Sequence, residues 1–491
     1  MLFIQSNNLP LALDEGERLR LLDTLSAKGF TPLIRSARRR CFELLVAARG
    51  ADPALVAAAV AELERECAAQ KELKGGIAYT PGELFCTDDC VFSLIFGDGR
   101  AGEGMSAGIV YSVQTAEPLA KLDGFCRDVR EALSEIVEDD GVATGEEHPP
   151  AAADPPVWKT SGRGLSQGLS RFIAIQPTDF VRAAAAFRGG GGELMRASEL
   201  LEENSVRSFL RRVQEMRREG YTPRRLFTEA GALGGVSIEK MLDAGLLERE
   251  VRVSCRKSGH ALFDLPSPDS LAAITISKAK CSQCAAPVAD EVIEETINPT
   301  RLAVSLLENG SWLNNRVYKI IRSLGVPESE IATGPPSSYG ESHLAVDVCG
   351  NSFLFVTKDG DLTPAFCRRI GEIVEETEAT HLVVLVTGSV EDEGRLRLYE
   401  FIWRRARGGR DLDMTLIEGL SGARSEIEHS FERAIHRELS RHLFTLSAAL
   451  GLSASNFVVE WFKLVNSPGV KKPAASILAP VSSDLNRQVA S

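Results

Sequence analysis

The sequence predicts a multidomain α/β protein, and three observations lead there. Its 491 residues exceed the roughly 100–200 that one domain takes up. Helix-spaced and strand-like apolar patterns alternate along most of the chain. Stretches rich in Pro, Gly and acidic residues interrupt that alternation from Glu138 to about Ser170 and again at Gly189–Gly192.

The first region, residues 1–137, reads as an α/β domain with no motif that assigns it a role. Leu19, Leu22 and Leu25 recur at helical spacing, and Asp14 is placed to cap that helix. Arg40–Ala47 is short and apolar and reads as a strand, and Ala54–Gln70 as a helix. Gly76–Tyr79, Val91–Phe96 and Gly108–Val113 read as strands, and Glu117–Val137 as a helix. From 138 to 192 the composition cannot bury enough apolar surface to offset the entropy of ordering, which predicts a flexible linker. Val206–Met216, Pro223–Ala230 and Ser237–Ala244 read as three helices, the last closed by Gly245 and running into a strand at Glu248–Val253. Three helices followed by a β-wing is the order of a winged helix, assigned with a ribbon-like insert to 193–297. Beyond it, Asn298–Leu324 reads as a helical pair broken near Gly310. Leu344–Val348, Ser352–Val356 and His381–Val386 read as strands, Pro364–Glu378 as a helix, and Arg424–Leu464 as a helical tail to a domain spanning 298–465. Residues 466–491, with Pro468, Pro473 and Pro480, read as a disordered tail.

Composition narrows the function classes. Lys and Arg total 56 against 68 Asp and Glu, a net charge of −12, with 44% hydrophobic and 25% charged residues. That acidic total excludes coating nucleic acid by bulk charge but leaves room for a local basic face. No run of about 18 apolar residues is present, so no transmembrane helix is expected. Met1-Leu-Phe-Ile-Gln-Ser-Asn-Asn8 lacks the basic start of a secretory signal. Ten cysteines without such a signal point to reduced thiols in the cytoplasm, some of them free to hold metal.

The metal candidate is Cys255-Arg-Lys-Ser-Gly-His260 followed by Cys281-Ser-Gln-Cys284. Two cysteine knuckles about twenty residues apart converge on one structural zinc. Position 258 is serine where a knuckle wants cysteine, so His260 is the expected fourth ligand, giving Cys255, His260, Cys281 and Cys284. Three unconnected thiols are the plain alternative. Cys86 and Cys90, with three residues between them, have no partner pair nearby and read as ordinary buried thiols.

Residues 205–257 carry twelve basic against seven acidic side chains, a local balance of +5. Arg217, Arg218, Arg224, Arg225 and Lys240 are the candidate nucleic-acid contacts, because arginines on a winged helix can hold the phosphates of a DNA duplex. The helix Ser237–Ala244 has only Lys240 as a cation, however, so a solvated face or docking on another protein subunit stays equally open.

Gly310-Ser-Trp-Leu313, Leu324-Gly-Val-Pro327, Glu341 through Val348, Phe353-Leu-Phe-Val-Thr-Lys-Asp-Gly-Asp361 and Leu382–Val386 together resemble the PD-(D/E)xK, or restriction-endonuclease-like, fold. They are most similar to a subgroup in which a winged helix and zinc ribbon precede the nuclease core. The resemblance implies a divalent cation, Mg2+, held by an Asp on one strand and a Glu-x-Lys on the next. Lys358 matches the lysine, Val356 occupies the glutamate position, and His343 falls on the aspartate, with Asp347 as a competitor four residues on. The resemblance therefore implies a degenerate centre in a bacterial DNA-processing or anti-phage defence setting. The residues favour a non-catalytic, nucleic-acid-associated subunit. The competing readings are an active nuclease with acids relocated to Asp359, Asp361, Glu372, Glu375 or Glu376, and a protein-docking scaffold.

Overall fold

The computed structural model describes residues 1–47, 52–69, 79–97, 104–140, 157–160, 167–174, 191–218, 237–265, 270, 280–287, 292–308, 310–334 and 340–466. The chain forms two compact units. One comprises Met1–Gly164, Val348–Gly350 and Glu428–Ser491; the other comprises Leu165–Asp347 and Asn351–Ile427.

In chain order the first unit begins with β1 (Leu2–Leu9), α1 (Glu15–Ala27), α2 (Leu33–Ala47), α3 (Pro53–Ala69) and β2 (Gly82–Cys86). It continues with β3 (Cys90–Ile95), β4 (Met105–Ser112), α4 (Pro118–Asp140) and β5 (Lys159–Thr160). The second unit opens with α5 (Gln167–Ala174), α6 (Gly191–Leu200), α7 (Asn204–Arg218) and α8 (Ile238–Asp243). The strands β6 (Leu247–Ser254), β7 (Ala261–Leu265) and β8 (Val292–Pro299) follow, then α9 (Arg301–Glu308) and α10 (Ser311–Ser323). It ends with β9 (Ile331–Thr333), β10 (Glu341–Val348), β11 (Asn351–Lys358), α11 (Pro364–Thr377), β12 (His381–Val386), α12 (Asp392–Arg407) and β13 (Asp413–Glu418). The chain closes with α13 (Ala423–His442), α14 (Phe444–Leu450) and α15 (Ala454–Val465), which from Glu428 onward belong to the first unit.

The first unit is built on a sheet of order β2-β3-β4-β1-β5. Side chains alternate across it. Phe85, Phe92, Leu94 and Ile109 join Leu21, Leu25, Phe125 and Val129 of α1 and α4, with the Phe92 and Phe125 rings stacked at 4.6 Å. Leu84, Val91 and Val110 point the other way and join Leu439, Leu443, Leu446, Val458 and Phe462 of α13–α15. Both faces are therefore buried, which is why β3 is apolar at successive positions rather than alternate ones.

Two expectations change here, and one element is added. The helical tail assigned to 298–465 belongs from Glu428 onward with the N-terminal unit, because the second face of that sheet is what buries its apolar stripe. Arg40–Ala47 is the last half of α2; an apolar run this short fits either structure, and the ion pair from Arg35 to Glu64 at 2.8 Å ties α2 to α3. Leu2–Leu9, for which the sequence suggested no element, is a strand that pairs antiparallel with β4 from Leu2↔Ser112 to Leu9↔Met105. Asp14 does cap α1, in a reciprocal capping box with Glu17.

The stretch read as a linker, 138–192, contains ordered pieces. The Trp158 indole N–H donates to the Cys126 carbonyl at 3.0 Å, and α5 places Leu169 and Phe172 in the core of the second unit. Gly191 and Gly192 open α6. The expected Pro223–Ala230 helix, most of the Gly76–Tyr79 strand and the tail beyond residue 466 lie outside the described residues.

The second unit carries a three-stranded sheet, β7-β6-β8, and a five-stranded one, β13-β12-β11-β10-β9. In the smaller sheet, α8 ends at Gly245 (φ 69°), and β6 pairs with β7 on one side and along its whole length with β8 on the other. In the larger, β9 runs antiparallel to β10, while β11, β12 and β13 are parallel. No helix among the described residues is long and apolar enough to cross a membrane.

Candidate metal centre and the surroundings of Lys358

β10 and β11 are neighbours joined by Cys349 and Gly350, both left-handed at φ 53° and 80°. A two-residue turn of this kind sets the register of the hairpin. Counting back from it, His343 lies opposite Val356 and Glu341 opposite Lys358. The Thr357 hydroxyl, which donates to the Ser342 carbonyl at 3.2 Å, agrees with that register.

Val356 is fully buried, in one cluster with Ala345, Leu354, Phe366 and Ile370 and with Leu169 and Phe172 of α5. His343 is under the same cover: a Cβ on Gly334 would sit 3.0 Å from Phe172 Cζ and 3.3 Å from His343 Cβ. Burial pushes the His343 imidazole down to about 4, so its ring is neutral at ordinary pH. Hydrocarbon therefore packs on Val356, where the resemblance puts a carboxylate for a hydrated cation, an ion that surrenders its waters reluctantly.

Lys358 sits at the rim, its ammonium 4.5 Å from the Phe366 ring centroid. The acid opposite it is Glu341, wholly buried and ion-paired with Arg369 of α11. This carboxylate was missed as a candidate, although it stands two residues from His343 and so on the same strand face. Asp347 is six residues along from Glu341, roughly 20 Å at strand spacing; it helps burial hold the Glu330 carboxyl up. The structure does not bring Asp347 to Lys358.

The other acids are committed elsewhere. Asp359 accepts from Arg211 at 2.5 Å and from the Thr387 hydroxyl at 2.6 Å, with Arg207 3.6 Å away and itself stacked on Trp312. Asp361 accepts the Ser389 N–H at 2.7 Å, which lowers its pKa. Glu372, Glu375 and Glu376 are exposed, on the opposite side of α11 from the buried Phe366, Ile370 and Val374, and Glu375 pairs with Arg405 and Arg410.

The cysteine site is better assembled. The sulfurs of Cys255, Cys281 and Cys284 all lie within 4.8 Å of one another, with Cys255 and Cys284 3.4 Å apart. A tetrahedral zinc with bonds of about 2.3 Å holds its sulfurs roughly 3.8 Å apart, so the trio fits. N–H groups of Cys284 and Gln283 and the Ser258 hydroxyl pull the Cys281 thiol down to about 6. The Ala286 N–H favours the Cys284 thiolate, but the neighbouring sulfurs and burial outweigh it and hold that thiol up. His260, the expected fourth ligand, is exposed and outside this group. Cys86 and Cys90 are ordinary thiols: burial pushes Cys86 up to about 12 and also raises Cys90.

Most described cations between residues 205 and 257, the stretch expected to form a winged helix, are internally paired. Arg207 and Arg211 hold Asp359, Arg249 holds Glu239 at 2.6 Å, and Arg252 holds Asp264 at 2.8 Å. Lys240 is exposed on α8. Arg217 and Arg218 lie in the last turn of α7, whose side chains there are outside the described residues, as are Arg224 and Arg225 altogether. No family model, curated protein or solved structure matches this chain.

Proposed function

We propose that this chain is a non-catalytic, nucleic-acid-associated subunit in a DNA-processing or anti-phage setting, built on a nuclease-like sheet that no longer binds a cation. The observation carrying this reading is the packing of Val356 and His343 beneath Phe172 and Leu169. A site filled by side chains has no room for a phosphodiester, a metal and an attacking water together. The sheet then serves as a platform for the winged helix, which Asp359 ties on through Arg207 and Arg211. Duplex DNA is the proposed ligand, met by Arg217, Arg218, Arg224, Arg225 and Lys240.

Affinity for duplex DNA should fall steeply between about 50 and 200 mM salt. Replacing the four arginines by Ala should weaken binding and flatten that slope. Binding that ignores both salt and these arginines would sink the nucleic-acid reading.

One observation favours the protein-docking alternative. Leu396, Tyr399 and Trp403 are exposed by 58%, 53% and 67% at one-face spacing along α12. Exposed Tyr and Trp are common anchors of protein interfaces, and Arg404 and Arg407 flank them, matching a partner with an acidic rim. Under this reading Trp403→Ala abolishes capture of an acidic partner and leaves DNA affinity untouched.

A further inference from the structure

We infer that the fourth metal position of the cysteine site belongs to the Ser258 hydroxyl and not to His260, giving three thiolates and one exchangeable oxygen. The argument is an internal likeness between residues 255–260 and 281–286. In each turn the leading cysteine N–H donates to the carbonyl five residues on, Cys255 to His260 and Cys281 to Ala286, both at 2.8 Å. In each, the cysteine carbonyl accepts from the residue four on, Gly259 and Ala285, again at 2.8 Å. That residue is left-handed in both, at φ 69° and 55°. β-pairs bracket the turns at the same offsets, Ser254↔Ala261 and Lys280↔Pro287. The leading cysteine is buried and the residue three on is exposed in both.

Laid on one another, the two turns put Ser258 on Cys284 and His260 on Ala286. The cross-contacts are reciprocal as well. Cys284 of the second turn lies 3.4 Å from the leading Cys255, and the Ser258 oxygen of the first lies 3.6 Å from the leading Cys281. His260 comes after the left-handed residue, where the chain has already turned; its backbone serves the turn while its place in the second turn is held by an alanine that ligates nothing. Zinc prefers thiolate to a neutral oxygen, so the Ser258 position is the weak one, and water can exchange there.

The test uses the full chain, purified reduced and without chelator. It measures zinc content and, after Co2+ substitution, the absorption spectrum, whose thiolate charge-transfer intensity counts sulfur ligands. The wild type should hold about one equivalent of zinc with a three-thiolate cobalt spectrum. His260→Ala should change neither. Ser258→Cys should add the intensity of a fourth thiolate and slow metal loss to a chelator by roughly tenfold or more. Cys281→Ser should lose the metal. Loss of metal or a changed spectrum in His260→Ala would overturn the assignment, as would a Ser258→Cys spectrum identical to the wild type. A reduced wild-type protein that takes up no metal would overturn it too.

Discussion

Around Val356 the sheet is closed: two strands, α5 and α11 press on it, and the neighbouring polar group, His343, is half-buried with its ring held neutral by burial. Around Ser258 the chain is an exposed turn, with the hydroxyl 3.6 Å from the Cys281 sulfur of the three-cysteine group. Both positions hold a residue that is a poor ligand for the ion their surroundings resemble a site for. The consequences differ because packing differs. In a close-packed core an apolar replacement recruits its neighbours to fill the space, and the pocket is lost. At a surface turn the backbone hydrogen bonds keep the geometry whatever the side chain, so a weak ligand leaves the site standing.

The largest effect should come from forcing the closed position open. His343→Asp with Val356→Glu restores the nuclease pattern on paper, but buries charge under Phe172; we expect a loss of more than about 4 kcal/mol in denaturant unfolding and no cleavage. A folded double variant that cuts DNA would erase the distinction drawn here. Next, Asp359→Ala removes the carboxylate facing Arg207, whose side chain is 8% exposed and keeps only neutral acceptors at Leu201, Glu202 and Asn204, and should cost about 3 kcal/mol. If Asp359 were instead a relocated metal ligand, activity would fall while stability held.

A pH titration sharpens the same contrast. The His343 ring, near 4 when folded against 6.5 ordinarily, binds its proton more readily in the unfolded chain. Its stabilising contribution is complete above pH 6.5 and is lost as pH falls from 6.5 to 4, by up to roughly 3 kcal/mol. His343→Leu should flatten unfolding free energy across that window; an unchanged slope would place the ring in water. The smallest effect belongs to the open site. Ala285 adopts φ 55° where its counterpart is Gly259, so Ala285→Gly should stabilise the metal-loaded protein by about 0.5–1 kcal/mol. A loss of stability would mean that the left-handed turn is not the shared device.

Much of the local structure was legible. Asp14 announces the start of α1, Gly245 announces the end of α8, and the spacing of Cys281 and Cys284 marks a knuckle. What was hidden depended on distant partners. Leu439, Leu443 and Leu446 declare an apolar helix face, but nothing in their pattern says that Leu84 and Val91, some 350 residues earlier, cover it. Glu341 passed unnoticed because its partner Arg369 is on a helix rather than the facing strand. His260 was chosen over Ser258 on ligand chemistry; which side chain faces the sulfurs is decided by the left-handed step at Gly259, and spacing alone does not reveal it.

The central claim is the proposal that the five-stranded sheet, with Val356 where the resemblance puts a carboxylate, does not cut. It is tested most directly by incubating the full chain with single- and double-stranded DNA in Mg2+ or Mn2+, beside Lys358→Ala. The account predicts intact DNA in every lane and the same DNA affinity for wild type and Lys358→Ala. Robust cleavage by the wild type, abolished by Lys358→Ala, would contradict it and make Glu341 the first acid to replace.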